Sequence, residues 1–287
     1  MSTPVAVIAT HRVRVPVTTV WTSPTSPRAV DAPAVAEQPD AVAWLAALDA
    51  HDAQDPRGRD DESGDGRLGL HGRVETQLVA GEPVVVTETD PTGAWSHVVA
   101  PWQASPKDGR GYPGWVPTAH LTPVEDVDDA EDAVGSDAAV VTDPLPADPT
   151  TDATTDSTTD STGEAGGHPA VAEARRHIGL PYLWSGVTPL GFDCSGLVLH
   201  AWRRFGIVVA RDAYAQAEVA EPVALDAVEP GDLYFFARPG RRIHHVGIVV
   251  RPGRMVHASE TGGVLVEEDL PAERLATLVA AGRLPMP

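Results

Sequence analysis

The sequence predicts two folded domains, a small all-β barrel domain over residues 1–123 and an α+β domain over residues 169–287. Three observations predict this. Short strand-like segments punctuated by Gly, Pro and Trp fill the first part, and helices followed by consecutive antiparallel strands fill the last part. Between them, residues 124–168 combine like charges with little apolar area, which predicts a disordered linker.

Alternating and β-branched runs predict the strands of the first domain. The predicted segments, in chain order, are a strand at 13–21, a β-region at 76–89, a turn at 90–93, and strands at 94–100 and 111–117. A short helix is predicted at 39–48, with Val42, Leu45 and Leu48 on one face and Trp44 beside them. A polar surface loop, 49–69, is expected to follow it.

The α+β domain is expected to begin at Pro169, which suits the first turn of a helix over 170–178. A second helix begins at or near Cys194 and ends at Gly206. The later predicted elements are a helix at 211–219 that Asp212 can cap, a strand at 233–236, a hairpin of 243–251 and 254–259, a strand at 263–267 and a closing helix at 271–280.

The single cysteine, Cys194, is the candidate nucleophile. A helix start offers unpaired N–H groups and the positive end of the dipole, which can lower a thiol pKa from about 8.5 to roughly 3.5–7.5. The alternative is a small buried hydrophobic residue. Flanking Asp193, Ser195 and two glycines favour the nucleophile.

A cysteine nucleophile needs a base, and the base needs an orienting partner. His244, His245 and His257 lie in the predicted hairpin. His244 shares its strand face with Val246 and is expected on the core side. His245 and His257 are an even number of residues apart, so their pairing requires an odd loop or a bulge. Without a bulge, His244 would be the better base.

These residues suggest a set of roles. Cys194 attacks as a thiolate, His245 pairs with it and protonates the leaving amine, and His257 holds the His245 ring. The oxyanion would accept hydrogen bonds from the Cys194 backbone N–H and from Tyr182, which could instead be a core aromatic residue. A zinc site of Cys194, Asp193 and the three histidines is the rival arrangement, but CxxC and HExxH spacings are absent. No metal and no cofactor are therefore expected.

Composition restricts the partners. A formal charge of −20 argues against nucleic acid and anionic membrane surfaces, which both require a basic face. One cysteine cannot form an internal disulfide, and the first residues lack a basic region followed by an apolar run. These features lead us to expect a cytoplasmic protein with a small substrate.

Four motifs resemble the NlpC-type papain-like cysteine peptidases of bacterial cell-wall peptides. They are Phe192-Asp193-Cys194-Ser195-Gly196, Pro230-Gly231-Asp232-Leu233, His245-Val246-Gly247-Ile248 and Val256-His257-Ala258-Ser259. The resemblance covers residues 169–271. It implies a papain-like fold and hydrolysis of the bond between γ-D-glutamate and the following diamino acid.

The first domain resembles the bacterial SH3-like domain of γ-D-glutamyl-L-diamino acid endopeptidases. The matching segments are Val15-Pro16-Val17, Trp21-Thr22-Ser23-Pro24, Thr76-Gln77, Gly81-Glu82 and Gly111-Tyr112-Pro113-Gly114-Trp115-Val116-Pro117. In that subgroup the barrel closes one end of the groove, and the substrate is a free murein peptide beginning with L-Ala.

The resemblance implies further site residues. Glu82, Tyr112, Asp193 and Ser195 would hold the L-Ala ammonium and its neighbourhood. Tyr182 would complete the oxyanion site, and Arg211 would approach the glutamate α-carboxylate. An arginine suits a carboxylate because its guanidinium donates two parallel hydrogen bonds.

Two departures from the family pattern stand out. Ser185 occupies a position where glycine is usual, and Val209-Ala210 stands where a proline commonly precedes the arginine. The expected function is a peptidase that recycles free murein peptides and releases L-Ala-γ-D-Glu. The alternatives are a wall-remodelling endopeptidase acting on intact peptidoglycan and a wall-binding module with an inert peptidase domain.

Overall fold

The computed structural model describes residues 9–54, 64–124 and 167–287. The predicted linker, 124–168, lies almost wholly outside the described residues, so its disorder stays a prediction. Within the described ranges, no helix combines the length and apolar character that a membrane crossing requires.

Seven strands of the first part form one antiparallel sheet. They are β1 (His11–Val13), β2 (Val17–Trp21), β3 (Val74–Val79), β4 (Pro83–Thr89), β5 (Trp95–Ala100), β6 (Tyr112–Pro117) and β7 (Leu121–Pro123). Their order in the sheet is β3-β2-β6-β5-β4-β1-β7. Alternate residues such as Val20, Leu78, Val98 and Val116 point to one side and form a fully buried core.

The single strand predicted at 13–21 is wrong, because the chain divides there into two strands. β1 pairs with β4 and β7, whereas β2 pairs with β3 and β6. Pro16 lies between them and has no N–H to donate to a ladder. Val15 is buried in the core at this break, so its apolar character reflects packing rather than strand continuity.

Two helices, α1 (Ala32–Val35) and α2 (Ala41–Gln54), follow β2. Trp44 and Leu48 of α2 are buried with Trp21 in one cluster. Val42 is 70% exposed, contrary to the prediction. It lies two residues before Trp44 and six before Leu48, so it points roughly 120–160° away from these two side chains, at the edge of the buried face. The helix ends at Gln54, six residues beyond its predicted end at Leu48 and inside the segment predicted as the loop at 49–69.

The second part is an α+β domain. Its elements are α3 (Pro169–Arg175), β8 (Val187–Thr188), β9 (Gly191–Phe192), α4 (Cys194–Arg203), α5 (Ala213–Val219), β10 (Glu221–Val223), β11 (Leu233–Ala237), β12 (Ile243–Arg251), β13 (Arg254–Ser259), β14 (Val264–Asp269), α6 (Ala272–Leu275) and β15 (Leu278–Arg283). Six of the strands form a sheet of order β10-β15-β11-β12-β13-β14. Leu197 and Trp202 of α4 pack with Val246 and Ile248 of this sheet.

The closing helix predicted at 271–280 is wrong. Only α6 is helical, and the chain then enters β15, which pairs with β10 on one side and β11 on the other. A short isolated helix is marginal in water. A strand placed between two others satisfies the backbone groups on both of its edges, and this long-range gain decides the conformation.

Buried polar contacts hold the first part against the second. Arg203 of α4 donates to the fully buried Glu82 at 2.6 Å. Arg211 donates from Nε to Thr76 Oγ1 at 2.7 Å, and its backbone N–H donates to the Ala104 carbonyl at 2.9 Å. Such groups are costly to bury unless paired. The contacts therefore fix the position of the barrel beside α4.

Candidate active site

Cys194 is the first residue of α4, as predicted. Asp193 precedes it with an extended backbone, and its Oδ1 accepts a hydrogen bond from the Gly196 N–H at 2.6 Å. An aspartate at this position is a common N-cap because it satisfies a donor that the helix leaves unpaired. A Cβ at Gly196 would overlap the Gly186 carbonyl, so only glycine allows the loop before α4 to pack this closely.

The charge state of Cys194 differs from the expectation. Burial, followed by the negative charge of Asp193, raises the pKa of Cys194 to about 12. A hydrogen bond from the Val246 backbone favours the thiolate but does not offset this. The thiol is therefore neutral at rest. Removal of the sulfur from water outweighs the favourable field of the helix start.

The bulge predicted in the β12–β13 hairpin is confirmed. The pairing register shifts between Val249 and Arg251, and the shift brings His245 and His257 to the same face of the sheet. His245 Nε2 lies 2.9 Å from His257 Nδ1. The Val246 N–H that contacts the thiol follows His245 directly, so Cys194 lies against the same stretch of β12.

A third residue, Glu268 of β14, extends this row of hydrogen bonds. Its Oε1 lies 3.0 Å from His257 Nε2. An ionised carboxylate only accepts hydrogen bonds, so His257 donates from Nε2 and accepts at Nδ1 from His245 Nε2–H. This tautomer leaves the Nδ1 lone pair of His245 available for a proton. Burial lowers the pKa of His245 well below its ordinary value, which keeps the ring neutral.

Glu268 was not among the site residues predicted from the sequence. Strand alternation alone places Glu268 on the same face as Val266, but the pairing of Val266 with His257 across β13 and β14 is seen only in the structure. The strand predicted at 263–267 ended one residue too early to include it.

His244 is exposed and lines the cavity described below, contrary to its expected place on the core side. The register between β11 and β12 pairs Phe236 with His245 and Ala237 with Ile243. Because of this shift, no residue of β11 pairs with His244. The bulge therefore turns this side chain away from the core.

A cavity of about 590 Å³ lies between the two parts of the chain. Five residues that the sequence analysis assigned to the site line it, namely Tyr112, Tyr182, Asp193, Cys194 and Ser195. Burial and the neighbouring Cys194 raise the pKa of Tyr182 well above its ordinary value. The Tyr182 hydroxyl thus stays protonated and can donate.

Arg211 lies outside the cavity lining, contrary to the expectation that it approaches a substrate carboxylate. Its Nη2 donates to Asp193 Oδ2 at 2.6 Å, and its Nη1 donates to Asp193 Oδ1 and to Ser195 Oγ at 3.1 and 3.0 Å. With Nε bound to Thr76, four of its five N–H donors are used within the protein. Arg211 is 1% exposed and acts as the counterion of Asp193.

Glu82 also lies outside the lining. Its Oε1 accepts from Arg203 and from Gln103, the latter at 3.0 Å, and its Oε2 accepts from the Val79 N–H at 3.1 Å. A fully buried carboxylate with these partners cannot reach a substrate ammonium. The acidic barrel residue that faces the cavity is Glu75.

The barrel end of the cavity holds an ammonium group of the protein itself. Lys107 Nζ lies 2.9 Å from the Tyr112 hydroxyl and forms an ion pair with Glu75. The same hydroxyl lies 3.1 Å from Asp212 Oδ1. Burial, followed by the charge of Asp212, raises the pKa of Tyr112, so the phenol is neutral. Two carboxylates and a phenol therefore form an environment suited to an amine.

Ser185, which replaces the usual glycine, takes a φ of 64°. This left-handed conformation favours glycine and is uncommon for serine. Ser185 Oγ donates to the Val74 carbonyl of the barrel at 3.1 Å. The hydroxyl thus adds a contact between the two parts that glycine could not make.

The architecture defines the class of protein. The second part is a papain-like peptidase domain: it has a cysteine at the start of a helix, and this helix packs on an antiparallel sheet that carries two hydrogen-bonded histidines. The preceding β domain is SH3-like.

Comparison with known proteins agrees with this class. Residues 179–275 match the NlpC/P60 family, and residues 69–121 match the bacterial dipeptidyl-peptidase Sh3 domain. The γ-D-glutamyl-L-lysine dipeptidyl-peptidase of Bacillus subtilis (strain 168) is 31% identical over 88% of this chain and 90% of that protein. The chain belongs to the NlpC/P60 family and is a cysteine-type peptidase.

Two further comparisons extend over most of the chain. The γ-D-glutamyl-L-lysine dipeptidyl-peptidase of Bacillus cereus (strain ATCC 10987 / NRS 248) is 25% identical over 84% of this chain and 80% of that protein. The solved structure of an NlpC/P60 family protein from Bacillus cereus ATCC 10987 is 21% identical with a TM-score of 0.73, covering 96% of this chain and 100% of that chain. The second likeness shows a shared fold.

Proposed function

We propose that the chain hydrolyses the bond between γ-D-glutamate and the following diamino acid in free murein peptides that begin with L-Ala, releasing L-Ala-γ-D-Glu. The supporting observation is that Glu75, Lys107 and Tyr112 of the barrel line the same cavity as Cys194. A groove closed at one end selects substrates by their terminus. The relatives named γ-D-glutamyl-L-lysine dipeptidyl-peptidases support the choice of bond.

The proposed reaction starts from a neutral thiol and a neutral imidazole. Cys194 Sγ attacks the γ-carbonyl carbon of D-glutamate while its proton passes to His245 Nδ1. The oxyanion accepts hydrogen bonds from the Cys194 N–H and the Tyr182 hydroxyl. His245 then returns the proton to the leaving amine, which gives a thioester. Water, losing a proton to His245, hydrolyses the thioester and frees the thiol.

We assign the substrate ammonium to the barrel end of the cavity. There Lys107 contacts Glu75 and the Tyr112 hydroxyl, and the same hydroxyl contacts Asp212. When the Lys107 side chain, which is 38% exposed, swings into solvent, Glu75, Tyr112 and Asp212 would accept hydrogen bonds from the amine of L-Ala. Asp193 and Ser195 line the route from there to Cys194.

The glutamate α-carboxylate is assigned to the arginines of the cavity lining. Three arginines of the β11–β12 connection, Arg238, Arg241 and Arg242, line the cavity, whereas Arg211 is committed to Asp193. Arg242 lies 3.4 Å from the centroid of the Tyr214 ring, which orients its guanidinium by a cation–π contact.

The test compares three substrates, L-Ala-γ-D-Glu-diamino acid tripeptide, its N-acetylated form and intact sacculi. We expect hydrolysis of the free tripeptide only, and none by Cys194→Ala. Comparable hydrolysis of the acetylated peptide would contradict the ammonium site, and release of peptides from sacculi would favour wall remodelling. The recycling role and the cytoplasmic location expected from the sequence stay predictions.

A further inference from the structure

A cluster of metal-ligating side chains lies on the opposite end of α4 from the thiol. Glu173 of α3, His177 just after α3 and His200 of α4 each place one possible ligand atom within 4.8 Å of the other two. His177 Nε2 is 3.3 Å from Glu173 Oε1 and 3.1 Å from His200 Nε2, and His200 Nε2 is 3.4 Å from Glu173 Oε1. The proposed reaction uses none of the three.

These separations match the geometry of a metal site. A tetrahedral zinc ion with ligand bonds of about 2.0–2.1 Å places its ligand atoms about 3.3–3.4 Å apart. The two imidazole rings are nearly perpendicular, at 82°, with their centroids 4.8 Å apart, and this edge-on packing brings their Nε2 atoms close together. The ring of Phe192 packs 5.0 Å from each imidazole and holds both rings in place.

Hydrogen bonds alone fit this triangle poorly, because a linear N–H···acceptor bond follows only one edge. If both Nε2 atoms carry hydrogens, two donors face each other. If one does not, its lone pair faces the carboxylate. A cation bound to all three atoms removes the conflict.

Two arginines also approach Glu173. Arg176 Nη1 lies 3.3 Å from Oε2, the oxygen that faces away from the histidines, and Arg204 Nε lies 3.7 Å from Oε1. Their side chains are 72% and 37% exposed, whereas those of the three clustered residues are 10–13% exposed. Arg204 can therefore move into solvent when an ion binds, while the ligands are fixed by packing.

We propose that Glu173, His177 and His200 bind a divalent transition-metal ion, best Zn²⁺, with a fourth position for water. One carboxylate and two neutral imidazoles are ligands that zinc commonly takes. The ion joins α3 to α4, the helix that begins with Cys194. This site is separate from the Cys194 zinc arrangement that the sequence analysis considered, and its role is to stabilise the fold.

The test uses the full chain with Cys194→Ala, which removes the only thiol. After chelator treatment and dialysis, the protein is reloaded with Zn²⁺ or Co²⁺. We expect one equivalent of bound metal by elemental analysis, visible absorption typical of tetrahedral Co²⁺, and a higher Tm in excess Zn²⁺ because the ion binds only the folded state. His177→Gln and His200→Gln should each weaken binding at least tenfold.

His97→Gln is the matched control, because His97 lies on β5 of the barrel. It should bind Co²⁺ with unchanged affinity and spectrum. Circular dichroism before loading identifies any variant that fails to fold, and Glu173→Gln then supplies an independent change of ligand. Absence of tetrahedral Co²⁺ absorption, or equal binding by the folded His200→Gln variant, would overturn the proposal and leave the cluster as a hydrogen-bonded contact between helices.

Discussion

Cys194 combines a position that favours an anion with an enclosure that opposes it. The first turn of the helix has N–H groups without intrahelical partners. However, Asp193 already accepts the hydrogen bond of the Gly196 N–H and adds a negative charge beside the sulfur. Desolvation then sets the balance and raises the thiol pKa. The nucleophile is consequently a neutral acid that depends on its base.

Alkylation of the thiol tests this charge state. Because the pKa of Cys194 is about 12, the iodoacetamide reaction should accelerate about tenfold per pH unit from pH 7 to 9 without levelling. Mass spectrometry of the modified chain measures the rate, and Cys194→Ala should take up no label. A plateau below pH 7 would instead indicate a thiolate paired with an imidazolium.

Glu268 selects the tautomer of both histidines in the proposed mechanism. Glu268→Gln can donate to His257 instead of accepting, which removes the preference for a free Nδ1 lone pair on His245. We expect kcat to fall about 10–100-fold with little change in KM, by analogy with the outer partners of reactive imidazoles. Steady-state kinetics on the free tripeptide and the pH profile of kcat/KM measure the effect.

Glu267→Gln is the matched control for this variant. Glu267 bonds Arg175 and Arg254 instead of a histidine, so its loss should lower stability slightly and leave kcat unchanged. If both variants lower kcat equally, Glu268 has no special role in orienting the histidines.

At the scale of elements, the contact of α4 with the barrel depends on the buried Glu82–Arg203 pair. Breaking a buried pair by removing one charge leaves the other without compensation, which typically costs about 3–5 kcal/mol. We expect Glu82→Gln to lower the free energy of unfolding by about 3 kcal/mol, measured by urea denaturation. The activity of this variant should also fall, because the barrel is displaced from α4, and KM should rise more than kcat falls.

A second change separates this interface role from contact with substrate. Glu82→Gln combined with Arg203→Met removes both charges and should recover much of the lost stability and KM. The exposed Glu88→Gln on β4 should behave as the parent. A KM that stays high in the double variant would mean that Glu82 contacts the substrate amine after all.

At the scale of the whole molecule, the described histidines with shifted pKa values favour folding at neutral pH. Burial lowers the pKa of seven of them, namely His11, His97, His120, His168, His244, His245 and His257. The pKa of His257 falls to about 4. The unfolded chain therefore binds more protons than the folded chain once the pH is below about 6.5.

Stability should consequently fall as the pH decreases from 7.5 to 4.5. Each strongly buried histidine contributes up to about 1.4 kcal/mol per pH unit between its unfolded and folded pKa values. Urea denaturation at several pH values measures the slope. His257→Asn should have a shallower slope than the parent, and a stability that rises toward acid would contradict the assigned directions.

Local pattern in the sequence determined the parts of this protein that depend on neighbours along the chain. The helix that begins at Cys194, the turn before β5 and the hairpin of β12 and β13 all follow from spacing, propensity and strand alternation. The bulge was predicted only as the condition under which His245 and His257 can pair. Motifs of consecutive residues likewise identified both domains and five of the residues that line the cavity.

Only the tertiary structure decided the features that depend on contacts between segments distant in the sequence. Burial raised the pKa of Cys194, and the position of β14 brought Glu268 next to His257. Arg211 forms its ion pair with Asp193, and Glu82 forms its ion pair with Arg203 of α4. Residues 278–283 form a strand because they pair with β10 on one side and with β11 on the other. Desolvation and partner competition are set by three-dimensional packing, so no local pattern carries them.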